Sequence, residues 1–123
     1  MISLQELNSH NYPTTDEINS NLQMLLVALN KVRAAYNIPM IVTSGLRSVA
    51  DQQRINPSAP KSKHLLGLAA DISDPDGNLW KWCMVNIQVL IEADIYLEDK
   101  AHTPTWVHMQ CVPPKSGKRI FIP

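Results

Sequence analysis

Ser62-Lys63-His64-Leu65-Leu66-Gly67-Leu68-Ala69-Ala70-Asp71-Ile72 sets a histidine and an aspartate seven residues apart, with a glycine between them and an apolar run ending at Ile72. Side chains alternate along a strand, so Leu68, Ala70 and Ile72 are expected on the core face and Ala69 and Asp71 on the opposite, open one. Gly67 permits the turn through which His64 folds back toward Asp71. An imidazole and a carboxylate are two of the three protein ligands that a catalytic zinc takes, the fourth position being left to water. The third ligand has to come from elsewhere in the chain.

Two further segments complete the pattern. Upstream stands Ser44-Gly45-Leu46-Arg47-Ser48; downstream stands Trp106-Val107-His108. With the S-x-H-x-x-G-x-A-x-D stretch between them, they resemble the zinc D,D-peptidases: D-Ala-D-Ala carboxypeptidases and dipeptidases, VanX-like enzymes and phage L-Ala-D-Glu endopeptidases, whose fold is shared with Hedgehog signalling domains. The resemblance covers roughly residues 40 to 112. It implies an α+β fold with helices packed on a mainly antiparallel sheet. It also implies that His108 is the third ligand, so that His64, Asp71 and His108 hold one zinc ion.

The same resemblance implies roles around the metal. Arg47 matches the family arginine that meets the substrate's carboxylate or scissile carbonyl, a task that suits a planar guanidinium; the alternative is a structural arginine that ties the loop after the strand to a helix end. Leu46 stands where the family usually has tyrosine, and Thr105 where many relatives carry an acidic residue before the last histidine. Glu98 is the replacement: Tyr96-Leu97-Glu98 followed by Lys100-Ala101-His102 resembles the Hedgehog segment in which a glutamate ends a strand shortly before the last zinc histidine. Glu98 is therefore expected to take a proton from water and pass it to the leaving amine. Ser62, Trp106 and His102 are the remaining candidates for contact with substrate, Ser62 being equally able to cap the turn and Trp106 to serve in packing alone.

Composition narrows the setting. A chain of 123 residues makes one domain with a single core. Eleven basic and eleven acidic residues give no formal net charge, and hence no electrostatic case for nucleic acid or an acidic membrane surface. Cys83 and Cys111 read as reduced, packed thiols rather than a disulfide framework. Met1–His10 has no basic or apolar leader, and no apolar run approaches a membrane span. The expected setting is synthesis in the cytoplasm followed by action at the bacterial wall, after release by a holin or as a virion component.

Periodicity supplies the rest of the layout. Residues 1–13 read as a polar lead-in, and Thr14-x-x-Glu17 as a capping box. Ile18, Leu22, Leu25, Leu29, Val32 and Tyr36 form one apolar stripe, predicting an amphipathic helix over 15–36 that stops at Asn37 and Pro39. A strand at 40–44, a short helix at 49–54, a turn at 74–78 and a second helix at 79–93 follow. Strands at 95–98 and 106–112 are joined by a connection short enough for an antiparallel hairpin, with Glu98 and His108 on one face if the two share it. Ile120–Pro123 closes the chain as an edge strand. The expected activity is hydrolysis of peptide bonds in peptidoglycan stem peptides, as a D,D- or L,D-type carboxypeptidase or endopeptidase. The alternative is a zinc-stabilised assembly or interaction domain that keeps the ligands without turnover, as Hedgehog domains do.

Overall fold

A computed structural model describes all residues, 1–123. The chain runs through α1 (Leu4–Leu7), α2 (Asp16–Tyr36), β1 (Val42–Ser44), α3 (Val49–Ile55), β2 (Ala69–Ser73), α4 (Asn78–Val85), α5 (Ile87–Ala93), β3 (Tyr96–Glu98), β4 (Trp106–Gln110) and β5 (Ile120–Phe121). Short 3-10 turns at Lys63–Leu66 and Lys100–His102 lead toward β2 and β4. The five strands lie in the order β1-β2-β4-β3-β5, antiparallel throughout except for β3 and β5, which run parallel. This is the α+β architecture that the sequence implies.

The stripe on α2 does what its spacing dictates. Leu22, Leu25, Leu29 and Val32 are buried, and Ile18 and Tyr36 pack partly against the same core. Asn37 ends the helix in the left-handed conformation, its N–H bonded to the Arg33 carbonyl. The helix starts one residue later than the sequence predicts, because Thr15 rather than Thr14 accepts from Ile18 N. The Thr14 hydroxyl goes to Asn19 Oδ1 instead. A complete capping box forms elsewhere, between Ser3 and Glu6, so the expected lead-in contains a helical turn that buries Leu7.

The predicted helix over 79–93 is two helices. Asn86 ends α4 and begins α5, and its side-chain amide donates to the Trp82 carbonyl, competing with the helix's own bonding. Asp74 fixes the start of α4 by accepting from Leu79 N and Trp80 N. No helix is long and apolar enough to cross a membrane. Cys83 and Cys111 are free and buried; burial pushes their thiols up to about 12 and about 11, which keeps both protonated.

Register places the chemistry. Ala70, Ile72, Leu97, Val107 and Met109 are buried in the core. Across the central strand pair Asp71 lies directly opposite His108, and Ala69 opposite Gln110. The β3–β4 pairing, Tyr96 with Gln110 and Leu97 with Met109, carries Glu98 to the level of His108. The face holding Asp71 is not open as alternation alone predicts: Ala69, Asp71 and His108 are all buried there, on the floor of a cleft walled by the connections around them.

Candidate metal centre

Three donor atoms, one each from His64, Asp71 and His108, lie within 4.8 Å of one another. His64 Nε2 is 3.3 Å and His108 Nδ1 3.1 Å from the same oxygen, Asp71 Oδ1. Each imidazole's other nitrogen is already committed. His64 Nδ1 lies 2.8 Å from the Gly45 carbonyl oxygen, which can only accept, so Nδ1 carries the proton. His108 Nε2 lies 2.9 Å from Gln110 Oε1, and the Gln110 amide is oriented by donating its N–H to the Val112 carbonyl. Nε2 of His108 therefore carries the proton there.

The two neutral rings thus turn lone pairs toward an ionised carboxylate oxygen. Three electron-rich atoms aimed at a common point repel unless a proton or a cation lies between them. Two imidazole nitrogens and one carboxylate are also a donor set that suits zinc among the divalent metals, with outer hydrogen bonds fixing each ring. The residues present therefore fit a metal ion.

Asp71 is held from its other side by Arg47, whose Nη2 donates to Oδ2 at 2.9 Å. Arg47 Nε donates to Ser44 Oγ and Nη1 to Gln52 Oε1. Gln52 is itself buried and passes its amide protons to the carbonyls of Asn56 and Ala59. The Ser44–Ser48 segment thus orients a metal-site carboxylate and fastens the loop that walls the cleft. Three of the five guanidinium N–H groups are used in this way, leaving two for other partners. Leu46 is buried among core residues, its N–H bonded to the Leu7 carbonyl.

Electrostatics follow from this crowding. With no metal between them, burial pushes the Asp71 carboxyl up, but the imidazoles of His108 and His64, when they carry a second proton and donate to it, outweigh burial by hydrogen bond and charge and hold the group well below the usual carboxylate range. For His108, burial pulls downward, yet the hydrogen bond and charge of Asp71, with Glu98 and Gln110, leave it raised. Burial lowers Arg47, an effect that Asp71 and Glu98 oppose.

The cleft above these groups has a volume of about 1230 Å³. Glu98 reaches into it from the end of β3, with Oε1 3.9 Å from His108 Nδ1. Ser62 lines the cleft and also caps the 3-10 turn, accepting from His64 N at 3.2 Å. Trp106, half-buried at the start of β4, and His102, exposed on its 3-10 turn, line the rim. Gln110 and Gln52 are the site residues that sequence reasoning missed. Gln110 carried a signal, since it lies two positions after His108 on the same face of β4. Gln52 had none, because its partners come from the fold.

The sequence matches the family described as Peptidase M15 over residues 2–109. Among solved structures, the Serratia marcescens L-Ala D-Glu endopeptidase ChiX superposes with a TM-score of 0.53 at 22% identity, covering 85% of this chain and 93% of that one. No curated protein matches the chain in sequence. The family match takes in all three segments of the metal centre, and this chain belongs to the Peptidase M15 family.

Proposed function

We propose that this protein is a zinc-dependent peptidase that hydrolyses peptide bonds in the stem peptides of bacterial peptidoglycan. The observation that carries the reading is the convergence of His64 Nε2, His108 Nδ1 and Asp71 Oδ1 on one point at the floor of a cleft, with Glu98 beside it. A zinc ion held there supplies Lewis-acid activation of water and of the scissile carbonyl.

The chain's own residues supply the rest. Glu98 Oε1 is placed to accept a proton from an attacking water and return it to the departing amine, the work of a single carboxylate serving as base and then acid. Arg47 orients Asp71 by donating to Oδ2; its two uncommitted N–H groups are available to a substrate carboxylate or carbonyl. Gly45 O and Gln110 Oε1 keep His64 and His108 in the tautomers that face the metal. Trp106, His102 and Ser62 bound the space a peptide would occupy. The L-Ala D-Glu endopeptidase activity printed for the Serratia structure supports an endopeptidase within this substrate class, while the D,D- and L,D-carboxypeptidase reactions stay open to the same groups.

The test is release of stem-peptide fragments from purified peptidoglycan, followed by mass spectrometry, with zinc-loaded protein and its Glu98→Ala variant. Fragments from the first, with a rate lower by about 10²- to 10⁴-fold in the second, are expected, and their masses name the bond. Intact peptidoglycan after incubation with folded, zinc-loaded protein across several wall chemistries would favour an assembly domain that binds metal without turnover.

A further inference from the structure

Three lysines on the cleft have no acidic partner in the protein. Lys61 and Lys63 lie on the connection from α3 to β2, Lys115 on the connection from β4 to β5, and all three line the cleft. The ion pairs of the fold engage Arg47, Arg54, His64 and His108, and none of these lysines. The cleft contains only two acidic residues, Asp71 and Glu98, and Asp71 is already committed to Arg47 and the two imidazoles. A chain whose eleven basic and eleven acidic residues cancel overall thus places four of its basic side chains around one cleft. A divalent ion at the floor adds to the same sign.

The lysine-bearing segments meet at one end of the sheet. Ala69, which starts β2, lies opposite Gln110, which ends β4, so the connection entering β2 and the one leaving β4 flank the same end of the central pair. The wall ahead of Lys61 is fastened through Gln52, which donates to the Asn56 and Ala59 carbonyls while accepting from Arg47. The backbone ahead of Lys61 is thus held by hydrogen bonds, and the Lys61 and Lys115 side chains stand exposed at the rim of the cleft.

We infer that the cleft selects peptides with free carboxylates close to the cleaved bond, and that Lys61, Lys63 and Lys115 are the residues that read them. Each ammonium is a compact point charge with three donors, able to meet a carboxylate over a range of approaches. The inference rests on the peptidase reading for the occupant of the cleft, yet it concerns binding as much as turnover. A wall whose stem carboxylates are amidated is a poorer substrate than one with free acids.

The experiment uses pairs of synthetic stem peptides identical except that side-chain and α-carboxyl groups are free acids in one and carboxamides in the other. Kd is measured by calorimetry on zinc-loaded Glu98→Gln protein, and kcat/KM on the zinc-loaded wild type. The free acid is expected to bind more tightly. Each of Lys61→Gln, Lys63→Gln and Lys115→Gln should shrink the acid-to-amide ratio about two- to fivefold, and all three together roughly 10- to 100-fold. Raising salt from about 0.05 to about 0.5 M should shrink it as well. Lys81→Gln, exposed on α4 away from the cleft, should leave the ratio unchanged. Equal Kd for acid and amide, or a preference that the three substitutions leave intact, overturns the inference. Discrimination in Kd without cleavage of either peptide upholds it and removes the peptidase reading; cleavage of both at equal rates does the reverse.

Discussion

Replacing Gln110 by leucine tests whether the metal site is built from its outer hydrogen bonds inward. Gln110 is 3% exposed, accepts from His108 Nε2 at 2.9 Å and donates to the Val112 carbonyl at 2.9 Å. Leucine occupies a similar volume and meets neither group. The buried imidazole N–H then loses its partner at about 1–3 kcal/mol, while the half-buried Val112 carbonyl, which water can reach, loses less. The cost to folding should be about 2–3 kcal/mol, which this domain survives. The larger consequence is for the metal. Without an acceptor on Nε2, the His108 ring is no longer fixed with its Nδ1 lone pair toward Asp71, and zinc affinity should fall about 10- to 100-fold, or about 1.4–2.7 kcal/mol. Competition against a chromophoric chelator at neutral pH measures this, with circular dichroism to show that the variant is folded. Gln110→Glu, which keeps an acceptor, should recover most of the loss. A folded Gln110→Leu protein that binds zinc within about threefold of the wild type would show that the His108 ring is held without Gln110.

Arg47→Met should destabilise the metal-free protein by about 3 kcal/mol, because it leaves the buried Asp71 carboxylate without its cationic partner; urea unfolding measures the difference, and a change under about 1 kcal/mol would contradict it. Gly45→Ala would place a Cβ against the Leu7 carbonyl oxygen and 2.8 Å from its carbon, so the N-terminal turn must shift and Tm should fall, together with zinc affinity through the Gly45 carbonyl that holds His64. In the metal-free protein His108 sits above its unfolded value, so its stabilising contribution is complete below about pH 6.5 and is lost as pH rises through the raised folded value. Zinc displaces that proton, so the rise in Tm on adding zinc should grow with pH across the same window; an increment independent of pH would contradict the ligand assignment. Cys83 and Cys111, buried with raised thiol values, should resist iodoacetamide until the protein unfolds, as mass spectrometry of the modified chain would show.

The grouping of His64, Asp71 and His108 was legible because its geometry is local or follows from alternation. His64 and Asp71 belong to one short motif, and His108 comes to Asp71 because both lie on paired strands at one register position. The placement of Glu98 beside His108 follows from the same period-two logic, once the hairpin between β3 and β4 is granted. What escaped depends on partners far along the chain or on choices between near-equal neighbours. Arg47 is expected at the substrate or, as the alternative, tying the loop after the strand to a helix end; its bonds to Ser44 and to Gln52 on α3 match that alternative, while its pairing with Asp71 depends on the fold. Thr14 and Thr15 are chemically alike, so composition could not choose the cap. The Ser3-x-x-Glu6 box was a real signal, obscured by a run too short and polar to suggest a helix. The break at Asn86 carries neither proline nor glycine; an asparagine amide reaching the Trp82 carbonyl suffices. The parallel pairing of β5 with β3 is set by tertiary contact, with Leu97 beside Ile120 and Glu98 beside Phe121, at the edge of the cleft.

The proposed function requires that His64, Asp71 and His108 hold one metal ion without which no peptide bond is cleaved. The most direct test strips the protein with a chelator, shows by circular dichroism that it remains folded, and titrates zinc back while following release of fragments from purified peptidoglycan. No cleavage by the stripped protein, a linear return of activity that plateaus at one zinc per chain, and no return in His108→Ala at any zinc level are expected. Cleavage that survives stripping, or that returns equally in His108→Ala, would contradict the proposed function.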